Sequence, residues 1–441
     1  MRRAALSVAM VAAIFLPGAP DAAAADKEKS VIWTNTSVPH RPPRPPQQTP
    51  FPAIKDWNSL RITLSRGGCF GTCPNYSVEI HGNGVVLFEG REFVAAPGKH
   101  RGTISPNAMR VLHDAFRKAQ FFWLFDEYSA PVSDNPTYEL VISFDGRRKA
   151  VSDYAGLAVG MPKETHALEE RTDVVAGTEK WVHGNGETLA ALKAEGWNFR
   201  RPERRNLRLL RFAADNENAA LVAQLLAEGW DVRNEAGASA VLCAIRSHDI
   251  ELLRNLLARN APVRGSKVPY RKESLDEAAE QAVPEILKLI LGRDPNVNRR
   301  DENGDTPFLI AAGAVTRGKG QDFDTSLRLL IAAGADPNAQ DDDGNGAFAK
   351  ASIHEGMIPI LVRLGVSGIN APNKRGRTPL MQASSPDVIK TLLRYGADPY
   401  QKDKIGRTAL DIKRWEHEHW PHTMPAENAD ILAAWMAAHP K

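Results

Sequence analysis

Two hydrophobic periods divide the chain. Between Trp57 and Gly184, apolar and polar residues alternate in short runs, the period of half-buried strands. Arg61 to Ser65 and Tyr76 to Ile80 alternate in this way. Gly82-Asn83-Gly84 joins Tyr76–His81 to Val85–Glu89 as a tight hairpin, because glycine and asparagine tolerate the positive φ that such turns need. Tyr138 to Phe144 and Arg148 to Ser152 form a second hairpin over Asp145-Gly146. Ser105-Pro106 reads as an N-cap with proline in the first helical position, opening a helix to about Gln120. A further helix is expected from about Lys163 to Val182. Strand pairs interrupted by helices predict a small α+β domain over 57–184, with the helices on one face of an antiparallel sheet.

Beyond it the period changes. Gly196, Gly229, Asn260, Arg293, Gly334, Gly365 and Gly396 mark a phase, spaced 33, 31, 33, 41, 31 and 31 residues apart. Seven residues before each marker stands Leu189, Val222, Leu253, Ile286, Leu327, Ile358 or Ile389, and four before it always a leucine. Residues three apart share a helix face, so each unit carries a helix with a constant apolar seam. The glycine that usually follows suits a left-handed cap. A fixed period near 33 built of such units predicts an all-α solenoid over 185–413, with 414–441 as its C-terminal cap.

The other half of each unit reads Gly304-Asp305-Thr306-Pro307-Phe308, Gly376-Arg377-Thr378-Pro379-Leu380 and Gly406-Arg407-Thr408-Ala409-Leu410, with weaker copies at Gly237 and Gly344. Thr306 and Thr378 are placed to cap a helix that proline pre-shapes. Gly334-Ala335-Asp336-Pro337-Asn338 and Gly396-Ala397-Asp398-Pro399 lead into the next loop. These segments resemble ankyrin repeats over about Gly186 to Lys413, with five to seven units. Where that family places a histidine after Thr-Pro-Leu, this chain has Leu309, Met381 or Asp411, which removes a hydrogen bond between repeats. The unit from Ser274 to Leu291 is degenerate, and the 41-residue spacing implies an insertion near Thr316 to Phe323. Cys243, beside Ala244 on a first-helix position, reads as a buried thiol.

In the first domain, Arg66-Gly67-Gly68-Cys69-Phe70-Gly71-Thr72-Cys73-Pro74-Asn75-Tyr76 resembles the signature of an uncharacterised bacterial domain family of unknown function. The likeness extends over roughly 120 residues, through Gly82-Asn83-Gly84 and Asp134-Asn135-Pro136. It implies no activity, so Cys69 and Cys73 are weighed directly. Their C-x3-C spacing differs from the C-x2-C of redox sites. Gly71 and Pro74 bend the loop enough to bring the two within bonding reach. In an exported protein a disulfide is the favoured reading, over a reactive thiol or half of a metal site. His81, His100 and His113 are scattered, and no Ser/His/Asp or paired-carboxylate pattern stands out.

The N-terminus supplies the expectation of export. Arg2 and Arg3 precede an apolar run from Ala4 to Leu16, then Pro17-Gly18 and the small residues Ala22 to Ala25. This is the pattern of a cleaved signal peptide over 1–25, with a mature chain starting near Asp26 in the periplasm or secreted. The apolar run is too short for a permanent membrane anchor. The following 26–56 reads as a proline-rich linker, seven of its prolines falling between Pro39 and Pro52.

Composition narrows the partners. With 441 residues, 43% hydrophobic and 25% charged, the chain is an ordinary globular one of several domains. Lys and Arg number 56 against 53 Asp and Glu, net +3, without the basic excess of a nucleic-acid binder. Arg200, Arg201, Arg204, Arg205, Arg208 and Arg211 are the exception, read as a solvated face bridging to acidic residues of the neighbouring domain rather than an anion site. His417, His419 and His422 are weak candidates for a zinc or copper site. Otherwise no metal, no cofactor, no membrane insertion after signal cleavage and no catalytic set is expected. The repeats imply a binding scaffold for another protein, with Asn303, Asp305, Asn345, Arg375, Arg377 and Arg407 near the loop tips as contact candidates. The alternative is an enzyme whose first domain does the chemistry while the repeats select the substrate. A deep polar pocket with perturbed titratable groups in that domain would mark it. In a third reading the first domain only caps the stack.

Overall fold

The structure is a computed structural model and describes residues 50–201, 203–264, 273–315 and 320–440. The expected signal peptide, most of the proline-rich linker and residues 316–319 of the expected insertion lie outside the described residues.

The first domain is a seven-stranded sheet: β1 (Arg61–Arg66), β2 (Asn75–His81), β3 (Val85–Glu92), β4 (Gly98–Thr103), β5 (Glu127–Ser129), β6 (Tyr138–Phe144) and β7 (Arg147–Tyr154). Across the sheet they lie in the order β4-β3-β2-β1-β6-β7-β5. Both expected hairpins form. The sheet departs from the expectation at its edges, because β5 pairs parallel to β7 and β4 adds a strand beyond β3. Gly98-Lys99-His100-Arg101-Gly102-Thr103 has no apolar alternation to reveal it. Main-chain pairing with β3 recruits it to an edge, where most of its polar side chains stay in solvent.

Ile62, Leu64, Val78, Ile80, Val86, Phe88, Leu140, Ile142 and Phe144 bury one face of the sheet. Against it pack α1 (Pro106–Lys118), capped by Ser105, and α2 (Lys163–Ala176). The helix expected to run from Lys163 to Val182 breaks in two. Gly177 turns left-handed at φ +63°, and a short α3 (Glu179–Val182) follows. The linker boundary at residue 56 also shifts. Phe51 packs edge-on against His113 and Phe122, and the N–H groups of Lys55 and Asp56 donate to Asp145.

Among the described residues, the rest is helical. After α4 (Thr188–Ala194) come seven helix pairs: α5 (Arg204–Asp215) with α6 (Ala219–Ala227), α7 (Glu235–Arg246) with α8 (Ile250–Ala258), α9 (Ser274–Gln281) with α10 (Pro284–Leu291), α11 (Pro307–Gly313) with α12 (Phe323–Ala332), α13 (Ala347–Lys350) with α14 (Met357–Arg363), α15 (Pro379–Gln382) with α16 (Pro386–Arg394), and α17 (Ala409–His419) with α18 (Glu427–Ala438). The boundary drawn at Lys413 falls inside α17, so residues beyond it complete a last helix pair. The apolar seam is as expected, with one slip. Around Arg293 the buried residues are Ile286, Leu287 and Ile290, while Leu289 is half-exposed. The seam there runs one residue later than assigned, and neither Arg293 nor Asp294 takes a left-handed conformation. Cys243 is fully buried, and burial pushes its thiol up to about 12. Among the described residues, no helix is long and apolar enough to cross a membrane.

Sheet and repeats share one core. Trp181 of α3 is fully buried, stacked on Phe88 and His100, and its carbonyl accepts the Ala96 N–H. Glu195, ending α4, takes His100 Nδ1 at 2.6 Å and the Arg101 N–H at 3.2 Å. His100 is therefore a buried junction residue.

Candidate functional site

The register of four strands sets one polar row. Tyr76 lies opposite Arg66, Arg66 opposite Tyr138, and Tyr138 opposite Asp153. Directly opposed residues share a sheet face. The row therefore runs Tyr76, Arg66, Tyr138, Asp153 across β2, β1, β6 and β7. Arg66 and Tyr76 are the first and last residues of the Arg66–Tyr76 motif. Between them, the loop is closed by a Cys69–Cys73 disulfide with Cα atoms 5.6 Å apart. Phe70, at its tip, is 92% exposed.

Helix α2 covers the row with its own polar stripe. His166, Glu169 and Asp173 fall at three- and four-residue spacing on one helix face. The Tyr76 hydroxyl donates to Asp173 Oδ2 at 2.6 Å, and the Thr178 hydroxyl donates to Oδ1 at 2.7 Å. Asp153 is buried. Its Oδ1 accepts the Gly156 N–H at 2.6 Å, and its Oδ2 lies 3.1 Å from His166 Nδ1. Glu169 is buried with Oε2 3.6 Å from His166 Nδ1, while Oε1 has no hydrogen-bond partner. The Arg66 guanidinium sits over the Tyr138 ring at 5.3 Å.

Three carboxylates crowded into one buried place oppose one another's charge. Burial, then the neighbouring Asp153 and Asp173, push Glu169 up to about 9. Burial also raises Asp173, against the hydrogen bonds from Tyr76 and Thr178. The Tyr76 phenol is held well above its ordinary value by burial and by Asp173. A cleft of about 680 Å³ opens onto this cluster, lined by Tyr138, Lys163, His166, Glu169, Glu170 and Asp173 among others. Perturbed, partly accessible acids in a cleft are the arrangement from which ligand binding and proton transfer are built. The sequence signal was incomplete: the motif was legible, but its chemistry was sought at the cysteines rather than at its ends.

The repeat residues are placed as follows. In four successive turns, Asp301, Asp341, Asn373 and Asp403 each use one side-chain oxygen to accept the N–H groups two and four residues on. Neighbouring tips are joined through main chain: Asp342 N–H to Asn303 O, Lys374 N–H to Asp343 O, and Lys404 N–H to Arg375 O. At Gly376 (φ +77°) a Cβ would lie 2.7 Å from the Lys404 nitrogen, so this contact needs glycine. Asn303 and Arg375 are exposed on this edge. Asp305 is engaged by Lys350, which also holds Asp341 at 2.7 Å. Asn345 binds Asp341 and accepts from Asn373. The Arg407 guanidinium grips Asp403 at 3.0 and 3.1 Å. Arg377 is half-buried, its N–H donating to Asn373.

Two further clusters resolve into local contacts. Arg205 binds Glu203 at 2.7 Å and stacks on Trp197, while Arg211 faces Asp215 and Glu235. These arginine bridges stay within the repeats instead of reaching the first domain. His417 Nδ1 pairs with the Met424 carbonyl and His419 Nδ1 with that of Trp415, and His422 follows in an exposed turn. Among the described residues, the group of three whose ligand atoms do approach one another, all within 4.8 Å, is Asp153, His166 and Glu169.

A mixed sheet domain joined to a stack of helix pairs defines the class. Residues 60–176 match the family described as "Domain of unknown function (DUF6438)", and residues 314–403 match "Ankyrin repeats (3 copies)". The second half of the chain thus carries ankyrin repeats. An ankyrin repeat protein of Escherichia coli strain K12 is 24% identical over 183 residues, covering 39% of this chain and 87% of that one. The mitochondrial disaggregase of Bos taurus is 33% identical over 159 residues, 34% of this chain. The ankyrin repeat and KH domain-containing protein mask-1 of Caenorhabditis elegans is 34% identical over 138 residues, 29% of this chain. The matches span 22% of the bovine protein and 5% of the nematode one.

Proposed function

We propose that the protein is an exported adaptor that binds another protein through the turn edge of its ankyrin repeats, without acting on it chemically. The observation that carries this reading is the main-chain ladder joining successive tips. It fixes the tips relative to one another before any partner arrives, so little ordering cost falls on binding. The exposed side chains along that edge change sign. Glu302, Asp342 and Asp343 make its first half acidic, and Lys374, Arg375 and Lys404 make its second half basic. A partner surface of the opposite polarity fits it. Of the residues first assigned to contact, Asn303 and Arg375 keep that role here, while Asp305, Asn345 and Arg407 hold the turns. Export rests on the N-terminal sequence pattern. Fractionation of the full-length chain should recover a periplasmic form starting near Asp26.

The second reading, chemistry in the first domain, has the acidic cleft in its favour, since Glu169 pushed up to about 9 is suited to hold a proton at neutral pH. The two readings separate on one comparison. Charge reversal at Arg375 should weaken partner capture and leave the cleft intact, whereas Asp173→Asn should leave capture unchanged.

A further inference from the structure

We propose that Asp153, His166 and Glu169 bind one divalent transition-metal ion at the inner end of the acidic cleft. This inference concerns the first domain alone and stands whether or not the repeats bind a protein.

The geometry is that of a ligand set. Two donors each about 2.0–2.2 Å from a shared ion, at tetrahedral or octahedral angles, lie roughly 3.0–3.5 Å from each other. His166 Nδ1 is 3.1 Å from Asp153 Oδ2 and 3.6 Å from Glu169 Oε2. All three donors fall within 4.8 Å of one another, so small side-chain adjustments close the set on one ion. An independent observation points the same way. Glu169 is only 4% exposed, yet its Oε1 has no donor from the protein. A buried carboxylate oxygen without a donor is costly unless something else compensates it.

The surroundings are built to hold the ligands in place. Asp153 is oriented by the Gly156 N–H on its other oxygen, the kind of outer contact that fixes ligating carboxylates. Glu169 and His166 are three residues apart on one helix, so α2 presents both together. Tyr76 and Thr178 occupy Asp173, which keeps that carboxylate out of the set. The half-exposed His166 gives an ion a way in from the cleft. Three protein donors leave the remaining positions to water or to a ligand entering the cleft. One imidazole with two carboxylates suits zinc or manganese, and disfavours magnesium and calcium, which prefer all-oxygen cages.

The test uses the full chain without a histidine tag, stripped by chelator and titrated calorimetrically with zinc, manganese and magnesium chlorides. One equivalent of zinc or manganese is expected, with magnesium much weaker. His166→Ala and Glu169→Gln should each weaken binding by more than about 100-fold, beyond the 10–100-fold typical of losing an outer-shell partner. His417→Ala and His419→Ala should change nothing. Should a cleft variant fail to fold, ring-nitrogen NMR of the unaltered protein decides the matter, because zinc should shift the His166 signals. No saturable binding overturns the proposal, as does equal affinity for magnesium. It also fails if binding survives both cleft substitutions, or if zinc shifts the C-terminal histidines instead of His166.

Discussion

The two halves of the molecule put a buried carboxylate to opposite uses. In the repeats, Asp403 is buried, yet the N–H groups of Arg407 and Ile405 and the Arg407 guanidinium outweigh that burial and hold its carboxyl below the ordinary range. Asp341 is held down in the same way, against burial, by Lys350 and Asn345. In the first domain, Glu169 lies deeper, its Oε1 without a donor and its neighbour Asp153 a second acid, and burial, then Asp153, push it up to about 9. Asp403 and Asp341, with their donors, build turns, while Glu169 and its neighbours line a cleft. The difference lies both in how deeply each carboxylate is set in the protein and in the donors around it.

The sharpest way to break this contrast is to remove the cation shared by a buried and a half-buried acid. Lys350 lies between Asp305 and Asp341. Lys350→Ala should cost about 3–5 kcal/mol, the usual result of orphaning buried charge, read from urea unfolding. Stability left intact would mean that the network is ornamental. Leu361→Ala, by contrast, opens a cavity in the apolar seam without touching a charge, and should cost about 2–5 kcal/mol in the same assay. Asp403→Ala strips one turn of its acceptor and should cost about 1–3 kcal/mol. The contribution of Asp403 carries a pH signature. With the folded value depressed, it is complete above the ordinary aspartate range near 4 and fades as pH falls through that lowered value. The stability difference between the parent and Asp403→Ala should therefore be constant above about pH 4 and begin to shrink below it. Smallest of all, Arg375→Glu at the exposed edge should stay within about 0.5 kcal/mol of the parent by thermal melting, while weakening partner capture.

What the sequence disclosed follows the same division. Repeats announce themselves because each unit restates one spacing, and the turn glycines, the threonine caps and the seam from Leu189 to Leu392 all recur. The hairpins and the Cys69–Cys73 link were legible for a related reason, since glycine, proline and cysteine act locally. The acidic cleft was not legible. Tyr76, Arg66, Tyr138 and Asp153 are neighbours only through strand register, and the α2 stripe meets them only after the sheet has formed. Edge strand β4 escaped because its one buried side chain, His100, is polar, and the slip at Arg293 because Leu289 imitates a seam residue. The turn acceptors Asp301, Asp341, Asn373 and Asp403 were visible three residues before each turn glycine, but their role needed the structure.

The central claim is that the turn edge of the repeats meets a partner protein. It is tested most directly by placing a photo-crosslinking residue singly at Asn303, Arg375 and Phe70 of the full-length chain in living cells. Crosslinks from positions 303 and 375 to the same protein, lost when Lys374 and Lys404 are reversed to glutamate, are the predicted result. Crosslinks from position 70 alone, with none from the two repeat positions, would contradict it.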